Sequence, residues 1–125
     1  MNTNLVSKVG DVGIDNLIAK LFPPAEAIGV KIAALASGSA DATVKRGTVL
    51  GRANDGKYSV YGGTGTPAAI LADDVTVTDD GDAVAVAYRC GNFNRKALIV
   101  AEGYTLTAAD EDALRHYDII LTDTM

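Results

Sequence analysis

Aromatic side chains are scarce in this sequence. Its 125 residues include no tryptophan, two phenylalanines and five tyrosines, although 48% of the residues are hydrophobic. That hydrophobic fraction excludes a disordered chain, and the length predicts one domain with a real core. The core must consist largely of alanine and valine, which bury little area per residue. Such a core favours added stability from an assembly, for example a trimer.

Cysteine and histidine occur once each, as Cys90 and His116. A lone cysteine forms no internal disulfide, so folding does not require an oxidising compartment. No pattern brings the two residues together, and a catalytic thiol needs a base within hydrogen-bond reach. Cys90 lies in an apolar row, which indicates a buried and unreactive thiol. We therefore expect no catalytic residue and no enzyme.

Positive charge is also in short supply. Eleven lysines and arginines face 16 acidic residues, and the net charge is −5. Binding to a phosphate backbone needs clustered basic residues, and no basic stripe is present. No apolar run approaches the ~20 residues of a membrane span, and the N-terminus lacks a signal pattern. We expect a soluble protein made in the cytoplasm, with neither nucleic acid nor a membrane as a partner.

Two polar loops have the composition of a ligand site without its full pattern. Asp79–Asp82 is as acidic as a calcium loop, but it lacks the alternating ligands and the distant glutamate of an EF-hand. Gly62–Thr66 is glycine-rich like a phosphate loop, but no Gly-Lys-Ser/Thr follows it. We expect a solvated hairpin turn and a flexible loop, so the sequence predicts no metal site and no cofactor.

The N-terminal region divides into a polar lead and a short apolar stripe. From Ile14 to Phe22 the apolar residues recur at helical spacing, and Pro23 and Pro24 end the pattern. The stripe predicts a helix too short to be stable alone, so it must dock on its own domain or on a partner. Residues 1–13 show no clean period and are typical of an arm.

Glycines and acidic turns divide the rest of the chain into short apolar segments typical of β-strands. Asp55–Gly56 predicts a tight hairpin turn, because these residues tolerate positive φ angles. Thr107 with Asp110 approximates a capping box, which predicts one helix. The predicted strands are 25–36, 44–52, 58–61, 68–72 (buried on both faces), 75–78 paired with 83–90 as a second hairpin, and 119–121.

The predicted strand 83–90 is apolar on both faces, and one face is small. Val84, Val86, Tyr88 and Cys90 share one face, and a row of alanines occupies the other. Small side chains allow close approach, so this face should lie against other protein, within the subunit or between subunits. The predicted trimer or tight-packing face is Ala83, Ala85 and Ala87.

Several segments of this sequence resemble the lambda-type bacteriophage head decoration proteins. Asp15–Ala19 ahead of Phe22–Pro23 is similar to the N-terminal arm of that family, in which a glycine often stands in place of Lys20. The other segments follow in the family's order: Lys45–Gly51, Gly56–Tyr58, Ala69–Val75, Gly91–Asn94 with Ala97–Leu98, Asp112–Arg115 and Ile119–Leu121.

The resemblance implies a small, mainly β domain of the β-barrel or β-clip type with short helices, and an extended or partly helical N-terminal arm. Residues 1–24 would form the arm, and residues 25–125 the decoration domain. Such a protein sits as homotrimers on the outer surface of the virion and clamps neighbouring coat subunits after the head has expanded. The expected capsid contacts of the arm are Leu5, Val6, Val9, Ile14, Leu17, Ile18, Leu21 and Phe22.

A basic cluster and a set of tyrosines allow two further interpretations. Arg89, Arg95 and Lys96 are a possible capsid rim, where charge would steer association with acidic groups of the coat protein. The alternative to capsid decoration is a β-module that binds a glycan or another small ligand. Its groove would be lined by the tyrosines at 58, 61 and 88.

Overall fold

The computed structural model describes residues 17–20 and 24–123. Among these residues 45% lie in strands and 11% in helices, and five strands close a β-barrel, which confirms the predicted fold class. The strands are β1 Ile18–Lys20, β2 Glu26–Ile32, β3 Ala42–Val44, β4 Val49–Arg52, β5 Tyr58–Val60, β6 Thr66–Leu71, β7 Val75–Val77, β8 Ala83–Asn94 and β9 Ile119–Thr122. The α-helix, α1, is Ala108–Arg115, and a 3-10 turn spans Arg95–Ala97.

The barrel closes because the first and last strands in its order, β2 and β6, both pair with the long strand β8. Around the barrel the order is β8, β2, β5, β4 and β6, and β6 returns to β8 through the pairs of Ile70 with Tyr88 and Leu71 with Ala87. Beyond the barrel, the second half of β8 pairs antiparallel with β1 and parallel with β9. β8 therefore belongs both to the barrel and to a three-stranded extension.

Apolar side chains form one core inside the barrel and a second core under α1. The inner core contains Val30, Ile32, Leu50, Ala69, Leu71, Val77, Ala85 and Ala87. The outer core contains Leu17, Val49, Tyr61, Ile70, Phe93, Leu114 and Ile119. Since consecutive residues of β6 point to opposite faces, this strand contributes to both cores. The prediction that 68–72 is buried on both faces is confirmed.

The turn, the helix cap and the last strand that short sequence motifs predict are all present in the structure. Gly56 adopts a φ of 86° in the turn between β4 and β5, which pair antiparallel as predicted. Thr107 caps α1, and its side chain and that of Asp110 complete both bonds of a capping box. The predicted strand 119–121 is present as β9.

The predicted helix from Ile14 to Phe22 is wrong at Ile18–Lys20. These residues form β1, which pairs with Phe93 and Asn92 of β8. Leu17, just before β1, is only 2% exposed and lies in the outer core. Pairing with β8 and burial of Leu17 outweigh the helical spacing of a stripe too short to form a helix alone. The remaining residues of the predicted stripe, 14–16 and 21–22, lie outside the described residues.

The predicted second hairpin is also wrong, because β7 pairs with β3 rather than with β8. The predicted strand 44–52 is correspondingly two strands, separated at Gly47, whose φ is 95°. A positive φ bends the chain out of a strand. β3 therefore forms a separate two-stranded sheet with β7, while β4 enters the barrel.

The two faces of β8 have opposite surroundings. Ala85 and Ala87 point into the inner core, and Ala87 is completely buried. Val84 and Val86 point outwards, and Val84 is 77% exposed. The alanine face is expected from the sequence to pack either within the subunit or between subunits. In the structure Ala85 and Ala87 pack within the subunit. Small side chains suit this position because the interior of a five-stranded barrel is narrow.

Candidate functional site

The base of the predicted arm is held against β8 on both sides of residues 21–23. The carbonyl oxygen of Leu17 accepts a hydrogen bond from the backbone N–H of Asn94 at 2.7 Å. On the other side, the Sγ of Cys90 donates to the carbonyl oxygen of Pro24 at 3.4 Å. Of the predicted arm contacts, only Leu17 and Ile18 lie among the described residues. Leu17 is in the core and is not free to dock, whereas Ile18 is exposed.

The three cations of the predicted rim have different surroundings. Arg95 is part-buried, and its guanidinium donates to both carboxylate oxygens of Glu111. It also donates to Oδ1 of Asp123 at 2.6 Å. The hydrogen bonds to Glu111 and then Asp123 raise the pKa of the Arg95 guanidinium above its usual value. Arg89 forms an exposed ion pair with Glu26. Lys96 is exposed. Arg95 therefore joins the 3-10 turn to α1 and to the segment after β9.

A buried polar cluster joins α1 to the barrel, and the sequence did not predict it. The hydroxyl of Tyr61 donates to Oδ1 of Asp110 at 2.6 Å, and the hydroxyl of Tyr104 donates to Oδ2. The backbone N–H of Thr107 also donates to Oδ2, at 2.9 Å. The rings of Tyr61 and Tyr104 meet edge to face with centroids 5.5 Å apart. The capping box marked Asp110 in the sequence, but no local signal marks tyrosines that reach it from 49 and 6 residues away.

Burial and hydrogen bonding act in opposite directions on the carboxyl group of this cluster. Burial raises the pKa of Asp110, but hydrogen bonds from Tyr104, Tyr61 and Thr107 outweigh burial and hold it below the ordinary value of 3.8. Burial, together with the bond to the carboxylate, raises the pKa of Tyr61 well above its usual range. Asp110 is therefore a carboxylate that accepts three hydrogen bonds, and its role in the fold is structural.

The tyrosines of the alternative interpretation do not line one groove. Tyr61 is 4% exposed and belongs to the cluster around Asp110. The hydroxyl of Tyr88 accepts a hydrogen bond from Nη1 of Arg46 at 2.8 Å, and this guanidinium also lies over the Tyr88 ring. Tyr58, at the start of β5, packs partly against the inner core. The three rings therefore have three different surroundings.

The carboxylates of the acidic segment Asp79–Asp82 are engaged by the chain itself. Asp79 accepts a hydrogen bond from the backbone N–H of Gly38 at 2.8 Å, and Asp82 accepts one from that of Ala34 at 3.0 Å. Asp82 also forms an ion pair with Lys57 at 2.8 Å. The segment thus fastens the loop after β2. Within residues 17–20 and 24–123, no three His, Cys, Asp or Glu side chains are arranged to hold a metal ion.

Cys90 and His116, which the sequence does not bring together, lie on different elements. Cys90 lies on β8 with its thiol at Pro24, and it is part-exposed rather than buried as its apolar row predicts. His116 caps the C-terminus of α1. Within the described part of the chain, no hydrogen bond joins the two side chains. Among the same residues, no helix is long and apolar enough to cross a membrane.

The fold and its surface thus define a small β-barrel with an N-terminal strand attached to its longest strand. The family model of the bacteriophage lambda head decoration protein D matches residues 27–119. This match covers most of the chain, including α1 and all of the barrel from the second residue of β2 onwards. The chain therefore belongs to the lambda head decoration protein family, as the sequence segments had indicated. A search of curated proteins found no match.

Membership of this family indicates the general role of the protein. Head decoration proteins are structural proteins of the phage capsid, so the chain has a capsid decoration role and is located on the virion. The family is not known for enzymatic activity.

Proposed function

We propose that this protein binds as homotrimers to the outside of the expanded phage head and stabilises the shell by bridging neighbouring coat subunits. The observation that carries the proposal is the family match over residues 27–119. A partner that binds only the assembled shell stabilises that shell by mass action. Several modest contacts from one trimer would reinforce each other through their effective concentration. A closed cyclic trimer also suits a local three-fold axis.

The arm is the first proposed contact with the coat protein. Because Leu17 is part of the core, the proposed contacts are the apolar side chains before it, together with Ile18, Leu21 and Phe22. Each large apolar side chain buried on docking would contribute roughly 1.5–3 kcal/mol. The proposed boundary between arm and domain moves from 24 to about 17, because β1 is part of the sheet.

The surroundings of the predicted rim and trimer-face residues in the structure change which of them we propose as contacts. Lys96 is exposed and suits a capsid rim; Arg89 is also exposed but pairs with Glu26, and Arg95 already binds two carboxylates. Ala85 and Ala87 are buried within the subunit, so a trimer contact on β8 would use the outward-facing Val84 and Val86. Exposed apolar side chains that lie together on one face are typical of a contact with another protein.

Two measurements test the proposed function. Sedimentation velocity gives the mass of the free protein, and co-sedimentation compares expanded capsids with unexpanded capsids. We expect a trimer in at least the bound state, and binding to the expanded form alone. Equal binding to both forms, or binding to neither, would contradict the proposal.

Two truncations separate the arm from the core. Removal of residues 1–16 leaves Leu17 and β1 in place. We expect it to leave the melting temperature nearly unchanged and to weaken capsid binding by orders of magnitude. Removal of residues 1–20 also takes Leu17 from the outer core, which costs roughly 2–5 kcal/mol of folding free energy. Full capsid affinity after removal of residues 1–16 would show that the arm is not the docking element.

A further inference from the structure

One end of the barrel carries a cavity of about 330 Å³ that no role described above uses. The end of β4, the starts of β5 and β6 and the later part of β8 lie at this end because of the way these four strands pair, and β2 reaches it with Ile28. Barrel mouths are common positions for binding sites. Each of the five barrel strands contributes one lining residue: Ile28, Arg52, Tyr58, Ala68 and Arg89.

Two of these lining residues lie at irregularities in the strand pairing. Between β2 and β8, Glu26 pairs with Cys90 and the next residue of β2 pairs with Tyr88, so Arg89 is skipped. Between β4 and β6, Leu50 pairs with Ala69 and Gly51 pairs with Pro67, so Ala68 is skipped. Such bulges redirect side chains and are frequent beside binding sites. Both bulges place their extra residue in the wall of this cavity.

The connection from α1 to β9 completes the wall with Tyr117 and Asp118. Asp118 has a φ of 61°, in the left-handed region that aspartate adopts more often than most residues, and its N–H donates to the carbonyl oxygen of Arg115 in the turn that ends the helix. Tyr58 and Tyr117 provide two aromatic rings with hydroxyl groups. The wall thus combines apolar surface with several groups that form hydrogen bonds.

The charge in this wall is predominantly positive, although the whole chain has a net charge of −5. Two arginines face one carboxylate among the lining residues. Arg89 is committed to Glu26. Arg52 is exposed, and within the described part of the chain its guanidinium makes no hydrogen bond or ion pair. Arg52 is therefore the cation available to a ligand.

We propose that this cavity receives an acidic side chain of the capsid shell, with its carboxylate on Arg52 and its methylene groups between Tyr58 and Tyr117. A guanidinium binds a carboxylate through two parallel hydrogen bonds. The volume is at the lower end of the range for ligand pockets, which suits a side chain better than an oligosaccharide. Asp118 at the same wall would repel a doubly charged phosphate more than a carboxylate. The inference rests on the proposed function and adds a contact separate from the arm.

The test is capsid affinity at several salt concentrations, measured for Arg52→Gln and for the matched control Arg115→Gln. Both variants replace an exposed arginine by a neutral residue, and among the described residues Arg115 pairs only with Asp112 of its own helix. We expect Arg52→Gln to weaken binding to expanded capsids by at least about tenfold and to reduce the salt dependence. Arg115→Gln should change affinity by less than about twofold. Unchanged melting temperatures would show that both variants are folded.

A second variant identifies the occupant. Arg52→Lys keeps the charge and supplies an amine that a carbodiimide couples to a carboxylate in direct contact. On decorated capsids we expect mass spectrometry to find position 52 coupled to an Asp or Glu of the coat protein. Arg115→Lys should give no coupling to the coat.

The outcomes separate the inference from the proposed function. If the wild-type protein fails to bind capsids, the proposed function itself is wrong. If the wild type binds and the two glutamine variants bind equally well, the carboxylate site is wrong. Coupling of position 52 to a second copy of this chain, or binding of a neutral glycan that Arg52→Gln abolishes, would also overturn it.

Discussion

Replacing Asp110 by alanine tests whether the buried polar cluster fastens α1 to the barrel. The Asp110 side chain is 7% exposed and accepts hydrogen bonds from two tyrosine hydroxyls and from the backbone of Thr107. Without it, the Tyr61 hydroxyl is left buried and unpaired, at a cost of about 1–3 kcal/mol. Loss of half of the capping box adds roughly 1 kcal/mol. Tyr104 is partly exposed, so its hydroxyl can turn to water and is assigned no cost.

The total loss of about 2–4 kcal/mol corresponds to a fall of roughly 6 to 20 °C in melting temperature for a domain of this size. Thermal and urea unfolding followed by circular dichroism would measure it. Asp112→Ala is the matched control, since Asp112 lies on the same helix and, within residues 17–20 and 24–123, its side chain pairs only with the exposed Arg115. We expect the control to cost less than about 0.5 kcal/mol.

A double-mutant cycle isolates the contact with Tyr61. Tyr61→Phe removes the hydroxyl that Asp110→Ala would leave unpaired, so the double variant should be more stable than the sum of the two single losses predicts. We expect a coupling free energy of about 1–2 kcal/mol. If Asp110→Ala melts within about 2 °C of the wild type, or no lower than Asp112→Ala, the cluster does not fasten the helix.

Three further predictions follow from other contacts. The difference in unfolding free energy between the wild type and Asp110→Asn should narrow as the pH falls below 3.8. The pKa of Asp110 is lowered in the folded state, so its ionised carboxylate stabilises the fold above that pH, and protonation removes this stabilisation. Urea unfolding midpoints measured from pH 2 to 7 would test this. Arg95→Gln should cost up to about 1 kcal/mol and Lys96→Gln almost nothing, and equal thermal midpoints would contradict this. Ala85→Arg should prevent folding because Ala85 is buried, whereas Val84→Arg should fold, as circular dichroism and gel filtration can establish.

The sequence predicted the parts of the fold that depend on neighbouring residues. A few neighbouring residues are enough to encode the turn at Gly56, the capping box at Thr107 and the burial of 68–72 on both faces. A continuous apolar run without alternation is typical of a strand covered on both sides. These predictions needed no knowledge of which strand pairs with which.

The errors arose where long-range pairing decides the structure. β7 precedes β8 in sequence, but its partner β3 lies more than thirty residues earlier. The acidic residues that looked like a simple hairpin turn instead bind the loop after β2 through Asp79 and Asp82. β1 becomes a strand only because β8 offers it a partner. Propensity is a weak guide for such short segments, and tertiary contacts override it.

The long strand β8 brings the two proposed capsid contacts together. Arg89 lies at the bulge in the pairing with β2, and Asn92, three residues further on, pairs with Lys20 at the base of the arm. At about 3.3 Å per residue, the wall of the cavity and the base of the arm are roughly 10 Å apart along one strand. Because β8 is hydrogen-bonded on both sides, its rigid backbone fixes this spacing before docking. A bound arm would thus hold the cavity at a high effective concentration over the same coat surface, so that two individually weak contacts could together retain the protein on the shell.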